Sequence, residues 1–138
     1  MARKCYVDTS AYLCILLGEK GHQSLQRQLS AARLFSSVVL ALEANRNLVR
    51  LSREGSLSSS EFLDCLTRLE SDLDQFILRD LTLDLCAGRA MPLVSTPRSL
   101  DLAHLRTALW FHDREKLDRF VTLDESQKQA AHELGLPV

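Results

Sequence analysis

Apolar and polar positions along the chain fall into short blocks, and most blocks read as a strand or a helix. Residues 4–7, Lys-Cys-Tyr-Val, form a strand-like run that stops at Asp8-Thr9-Ser10, a polar trio able to cap the apolar stretch 11–17. That predicts a strand-to-helix turn. Gly18 and Gly21 punctuate the chain, and Leu25, Leu29 and Ala32 then recur at spacings of four and three, which predicts an amphipathic helix over 22–32. Residues 34–39 read as the end of a second strand. A helix over 40–54 follows, with Leu40, Ala44, Leu48 and Leu51 at helical spacing and Glu43 in its first turns. After Gly55, Ser58 and Glu61 stand at capping-box spacing before a helix with Phe62, Leu63, Leu66 and Leu69 on its apolar face.

Phe76-Ile77-Leu78 is a third strand, 81–91 a helix, and 94–99 a proline-containing loop that opens a helix over 100–112. The strand 119–123 ends at Asp124, which heads a final helix to Leu134, and Gly135 precedes a terminal strand over 136–138. Short strands alternating with helices need crossover connections. The pattern therefore predicts one α/β domain over 1–138, an α/β/α sandwich whose mostly parallel central sheet is flanked by helices. In such open sheets the working site lies outside the carboxyl ends of the strands.

Composition narrows the picture. A chain of 138 residues, 46% hydrophobic and 25% charged, has the size and make-up of one domain with its own core. Seventeen Lys and Arg against 18 Asp and Glu leave a formal charge of −1, so there is no global basic field and any RNA contact must come from a local patch. Cys5, Cys14, Cys65 and Cys86 form no C-x-x-C pair, which argues against a zinc knuckle or a disulfide framework; each sits among apolar neighbours and is expected to be a reduced, buried packing residue. The N-terminal stretch lacks the apolar core of a signal peptide, and no window is long enough to cross a bilayer, so a cytoplasmic protein is expected.

Three acids fall at the carboxyl edge of the expected sheet: Asp8 after the first strand, Asp124 after the later one, and Asp101 at the start of the helix beyond the proline loop. Each has an ordinary alternative as a helix cap, and Asp124 with Gln127 fits a capping box. The alternative for Glu43 is a surface pair with Arg46 or Asn47, worth about 0.2–0.5 kcal/mol. Taken together the four say more. Carboxylates held about 5 Å apart repel by about 3 kcal/mol per pair at an effective dielectric near 20, so such a cluster must take up protons or bind a cation. Hard oxygen ligands suit Mg²⁺ or Mn²⁺, and an open site of that kind activates water for attack on phosphorus. His104 lies three residues after Asp101, close to the same helical face, which permits a metal-ligand role, an RNA contact or a packed histidine. Arg46, Arg50 and Arg53 either form a charged outer face or offer guanidinium groups to RNA phosphates, with Arg46 nearest the site. Trp110 and Phe111 read as core or interface, and the acidic run 70–74 as a solvated helix face.

Four segments, Tyr6-Val7-Asp8-Thr9-Ser10, 37–43 ending in Glu43, 100–109 beginning Leu100-Asp101, and Phe120-Val121-Thr122-Leu123-Asp124, resemble those of PIN-domain ribonucleases, in particular VapC-type toxins of bacterial toxin–antitoxin pairs. The resemblance runs nearly end to end. It implies that Asp8, Glu43, Asp101 and Asp124 are the acidic metal-site residues, supported through hydrogen bonds by Ser10 and Thr122. It also implies cleavage of RNA to a 5′-phosphate and a 3′-hydroxyl, pairing into homodimers, and complex formation with a small VapB-type antitoxin. Residues 56–78 match no motif; in similar proteins the region is helical and takes part in dimer or antitoxin contacts. The rival readings are a phosphotransfer domain using Asp8 as nucleophile, which would want a second Asp two positions on, a catalytically silent PIN-like binding module, and a structure-specific DNA nuclease.

Overall fold

Four short strands, β1 (Lys4–Val7), β2 (Arg33–Ser37), β3 (Phe76–Arg79) and β4 (Arg119–Val121), pair in the order β3-β2-β1-β4 in a computed structural model that describes residues 1–88, 92–95 and 97–138. All three pairings are parallel. The chain builds outward from β1 through β2 to β3 and then returns to lay β4 on the other side of β1. The strand order therefore reverses between β1 and β4, the place where open α/β sheets hold their ligands.

Helices α1 (Thr9–Leu17), α2 (His22–Leu29), α3 (Val39–Arg53) and α4 (Ser59–Leu73) share one core with Cys5, Val7 and Val121. Helices α6 (Ser99–Glu115) and α7 (Glu125–Glu133) share the other with Tyr6, Phe35 and Phe120, and the short α5 (Leu83–Ala87) packs on α6. This is the expected α/β/α sandwich. The two-residue period of the strands sorts neighbours such as Cys5 and Tyr6 to opposite faces. In register across β2, β1 and β4, Phe35, Tyr6 and Phe120 form an aromatic row, with Tyr6 and Phe120 stacked at 5.3 Å and Phe111 of α6 set edge-on to Phe35 at 4.9 Å.

Several boundaries differ from the sequence pattern for local reasons. The Ser37 hydroxyl accepts the Val39 amide at 3.1 Å, so β2 ends at Ser37 and α3 begins at Val39. Strand β4 stops at Val121 because the Leu123 amide bonds to the Ser10 hydroxyl at 2.9 Å instead of a neighbouring strand. Helix α2 stops at Leu29, and α6 runs to Glu115 before Lys116, at a φ of 49°, ends it. The expected terminal strand is not formed. Leu136 is buried in the α6–α7 core, Pro137 has no amide to offer, and its carbonyl takes the Phe120 amide at 2.6 Å. Of the helix expected over 81–91, residues 89–91 lie outside the described residues, as does Thr96 of the 94–99 loop.

The Ser58–Glu61 capping box forms in both directions, with bonds of 3.1 and 2.9 Å. Leu63 is 60% exposed, so it does not join the apolar face of α4. Cys5 and Cys14 are buried as expected, but Cys65 is half-buried and Cys86 exposed on α5, and all four are free thiols. Among the described residues no helix is long and apolar enough to cross a membrane.

Candidate active site

The carboxyl ends of β1 and β4 meet at Asp8. Its amide donates to the Val121 carbonyl at 3.1 Å, and its side chain caps α1, with Oδ1 accepting the Ala11 amide at 3.2 Å and the Ser10 hydroxyl at 2.7 Å. Ser10 in turn reaches the Thr122 hydroxyl at 3.2 Å, and Thr122 Oγ1 accepts the Asp124 amide at 3.1 Å. Ser10 and Thr122 thus link the first acid to the last.

Capping does not explain all of Asp8. It is only 4% exposed, and burial pushes its carboxyl above the usual range despite the opposing bonds from Thr122 and Ser10. Glu61 and Asp84, which lie in the first turns of their helices, show the opposite. Backbone and side-chain bonds from Ser58 pull Glu61 down, and the Thr82 hydroxyl pulls Asp84 down.

Asp124 caps α7, accepting the Ser126 amide at 2.8 Å and the Gln127 amide at 3.2 Å. The expected capping box with Gln127 is not made. The Gln127 side chain, 2% exposed, turns inward and donates to the Asp101 carbonyl at 2.9 Å. That bond holds the start of α7 against the start of α6. Its electrostatic consequence is that Asp101 is pushed upward, first by burial and next by the charge of Asp124, with Glu43 adding to it.

Among the described residues Glu43 makes no surface pair. Asn47 bonds to its backbone carbonyl, at 2.9 Å, while the carboxylate turns inward, where Oε1 accepts Thr9 Oγ1 at 2.5 Å and His104 Nε2 at 3.0 Å. Burial opposes ionisation, but the bonds from His104 and Thr9, with the nearby Arg46 guanidinium, outweigh it and hold the carboxyl below its usual range. Arg46 is exposed on the next turn, with no ion-pair partner among the described residues, whereas Arg50 is paired with Glu54 at 3.2 Å.

His104 takes the packed place. It is 2% exposed, and both ring nitrogens are engaged: Nδ1 with the Tyr6 hydroxyl at 2.7 Å, Nε2 with Thr9 at 2.9 Å and with Glu43. No ring lone pair is left for a metal, and no surface for RNA. Tyr6, Thr9 and Gln127 are the supporting residues that sequence reasoning missed. Thr9 carries the one available signal, a hydroxyl inside the first helical turn beside Asp8. The acidic run 70–74 also has a structural use, since Asp72 accepts the Tyr12 hydroxyl at 2.8 Å and pairs with Arg68 at 3.3 Å.

All four candidate ligands are carboxylates. No group of three His, Cys, Asp or Glu side chains among the described residues closes into a coordination cluster. This donor set fits Mg²⁺, which keeps several of its waters and is held directly by only one or two carboxylates. A cleft of about 180 Å³, lined by Val7, Tyr12, Leu29, Leu34 and Phe76, lies on the α1–α4 face and contains none of the four acids. No family model matches this chain, and no curated protein matches it. The geometry at the sheet edge therefore carries the functional argument.

Proposed function

We propose that the chain is a Mg²⁺- or Mn²⁺-dependent endoribonuclease of the PIN-domain type, acting in the cytoplasm as the toxin of a VapBC-type pair. The observation that carries the reading is the reversal of strand order between β1 and β4 with Asp8 buried at it, together with an Asp101 whose carboxyl is raised by the charges of both Asp124 and Glu43.

In this reading Asp8, Glu43, Asp101 and Asp124 would hold the cation. When bound, it supplies activation of a water and neutralises charge that builds on the phosphate. Ser10 and Thr122 keep the Asp8 and Asp124 segments in register, Gln127 sets the approach of α7 to α6, and Arg46 offers a guanidinium to a substrate phosphate. The products are a 5′-phosphate and a 3′-hydroxyl. A VapB-type antitoxin and a second copy of the chain are the proposed protein partners.

The test is cleavage of a labelled RNA by the purified chain with Mg²⁺ or Mn²⁺, compared with excess chelator and with Asp8→Asn. The reading expects cutting only by the native chain with metal. RNA binding without cutting would assign a silent binding module, and cutting of DNA alone a DNA nuclease.

A further inference from the structure

Four elements meet behind Glu43: Tyr6 from β1, Thr9 from α1, His104 from α6 and the glutamate from α3. The Glu43 carboxylate can only accept, so Nε2 must carry the hydrogen between them, and one proton arrangement then serves every contact. The Tyr6 hydroxyl donates to Nδ1, Nε2–H is shared between Glu43 Oε1 and Thr9 Oγ1, and the Thr9 hydroxyl donates to the same Oε1. The opposite tautomer would set a nitrogen lone pair against the carboxylate oxygen at 3.0 Å.

Tyr6 is itself fixed, fully buried, stacked on Phe120 and edge-on to His104 at 5.8 Å. Its hydroxyl therefore meets Nδ1 from a position that aromatic packing determines. Both bonds fall on Oε1, and among the described residues Oε2 of Glu43 has no hydrogen-bond partner.

We infer that His104, held in its Nε2–H tautomer between Tyr6 and Glu43, is a positioning residue that commits Oε1 of Glu43 to the protein and leaves Oε2 as the oxygen that would meet a cation. The inference rests on the proposed nuclease reading. It gives a buried histidine that touches neither metal nor RNA a defined part in metal affinity, since groups that orient a ligand commonly change metal affinity by about 10- to 100-fold.

Two measurements on the full chain test it. Imidazole ¹⁵N shifts of the metal-free protein should show His104 protonated at Nε2, with the Nδ1 resonance moving in Tyr6→Phe as its hydrogen bond is lost. Mn²⁺ titration calorimetry should show about 10- to 100-fold weaker binding in His104→Leu, most of the affinity regained in His104→Gln, which keeps an N–H directed at Glu43, and an intermediate loss in Tyr6→Phe. Tyr6→Phe removes a single oxygen and carries the test where His104→Leu does not fold. Nδ1 protonation in the native chain, or native Mn²⁺ affinity in folded Tyr6→Phe and His104→Leu, overturns the positioning role alone. A native chain that binds no Mn²⁺ overturns the nuclease reading and this role with it.

Discussion

Replacing Thr9 by Val tests whether the inward turn of Glu43 stabilises the fold. Val keeps the branched shape and nearly the same helix propensity, so the change is confined to one hydroxyl in a residue that is 6% exposed. That hydroxyl donates to Glu43 at 2.5 Å and accepts from His104 at 2.9 Å. A hydrogen bond to a charged group contributes about 1.5–3 kcal/mol, and the extra buried methyl returns about 0.8 kcal/mol, so Thr9→Val should lose about 0.7–2.2 kcal/mol. Urea unfolding at neutral pH measures this as a lower midpoint with an unchanged slope. The loss should also depend on pH. Glu43 is held below its usual range in the fold, so its stabilisation is complete above the unfolded value, about 4.3, and is lost as pH falls through the lower folded value. The gap between native and variant must therefore narrow in acid. Equal stability at neutral pH, or a gap that widens in acid, would refute the assignment.

Asp8→Asn should be at least as stable as the native chain at neutral pH, because Asn still caps α1 while the buried charge is gone. The fold raises the Asp8 carboxyl above its unfolded value, so the cost of its ionisation is present at neutral pH and disappears as pH falls; thermal melts should show the variant's advantage shrinking in acid. Gln127→Leu should loosen the α6–α7 contact and weaken Mn²⁺ binding in calorimetry, and unchanged affinity would remove Gln127 from the site's support. Leu48→Ala, at a fully buried position in the α1–α4 core, should lose about 2–5 kcal/mol in urea unfolding, with a small loss showing that this core is loosely packed.

The sequence pattern found every strand of the sheet because each has a short apolar run followed by polar capping residues, as in Val7-Asp8 and Val121-Thr122. Its errors fell where one side chain decides the geometry. The Ser10 hydroxyl takes the Leu123 amide out of the sheet, and Pro137 cannot extend it. The candidate acids were legible as strand-end and helix-start residues, but their surroundings were not. Gln127 has the spacing of a capping-box partner, yet its amide bonds to a carbonyl 26 residues away. His104 lies on the Asp101 side of α6 in sequence, and only the fold shows it sealed behind Glu43 by a tyrosine 98 residues distant. Contacts of that range leave no periodic signature in the chain.

The most direct test of the central claim is a cleavage assay on a defined RNA with Mn²⁺ titrated in, comparing the native chain with Asp8→Asn and Asp101→Asn that melt cooperatively. The native chain should cut with a metal dependence that chelator reverses, leaving 5′-phosphate ends, and both variants should be inactive. Metal-independent cutting, or full activity in either folded variant, would contradict the assignment of these carboxylates to a nuclease centre.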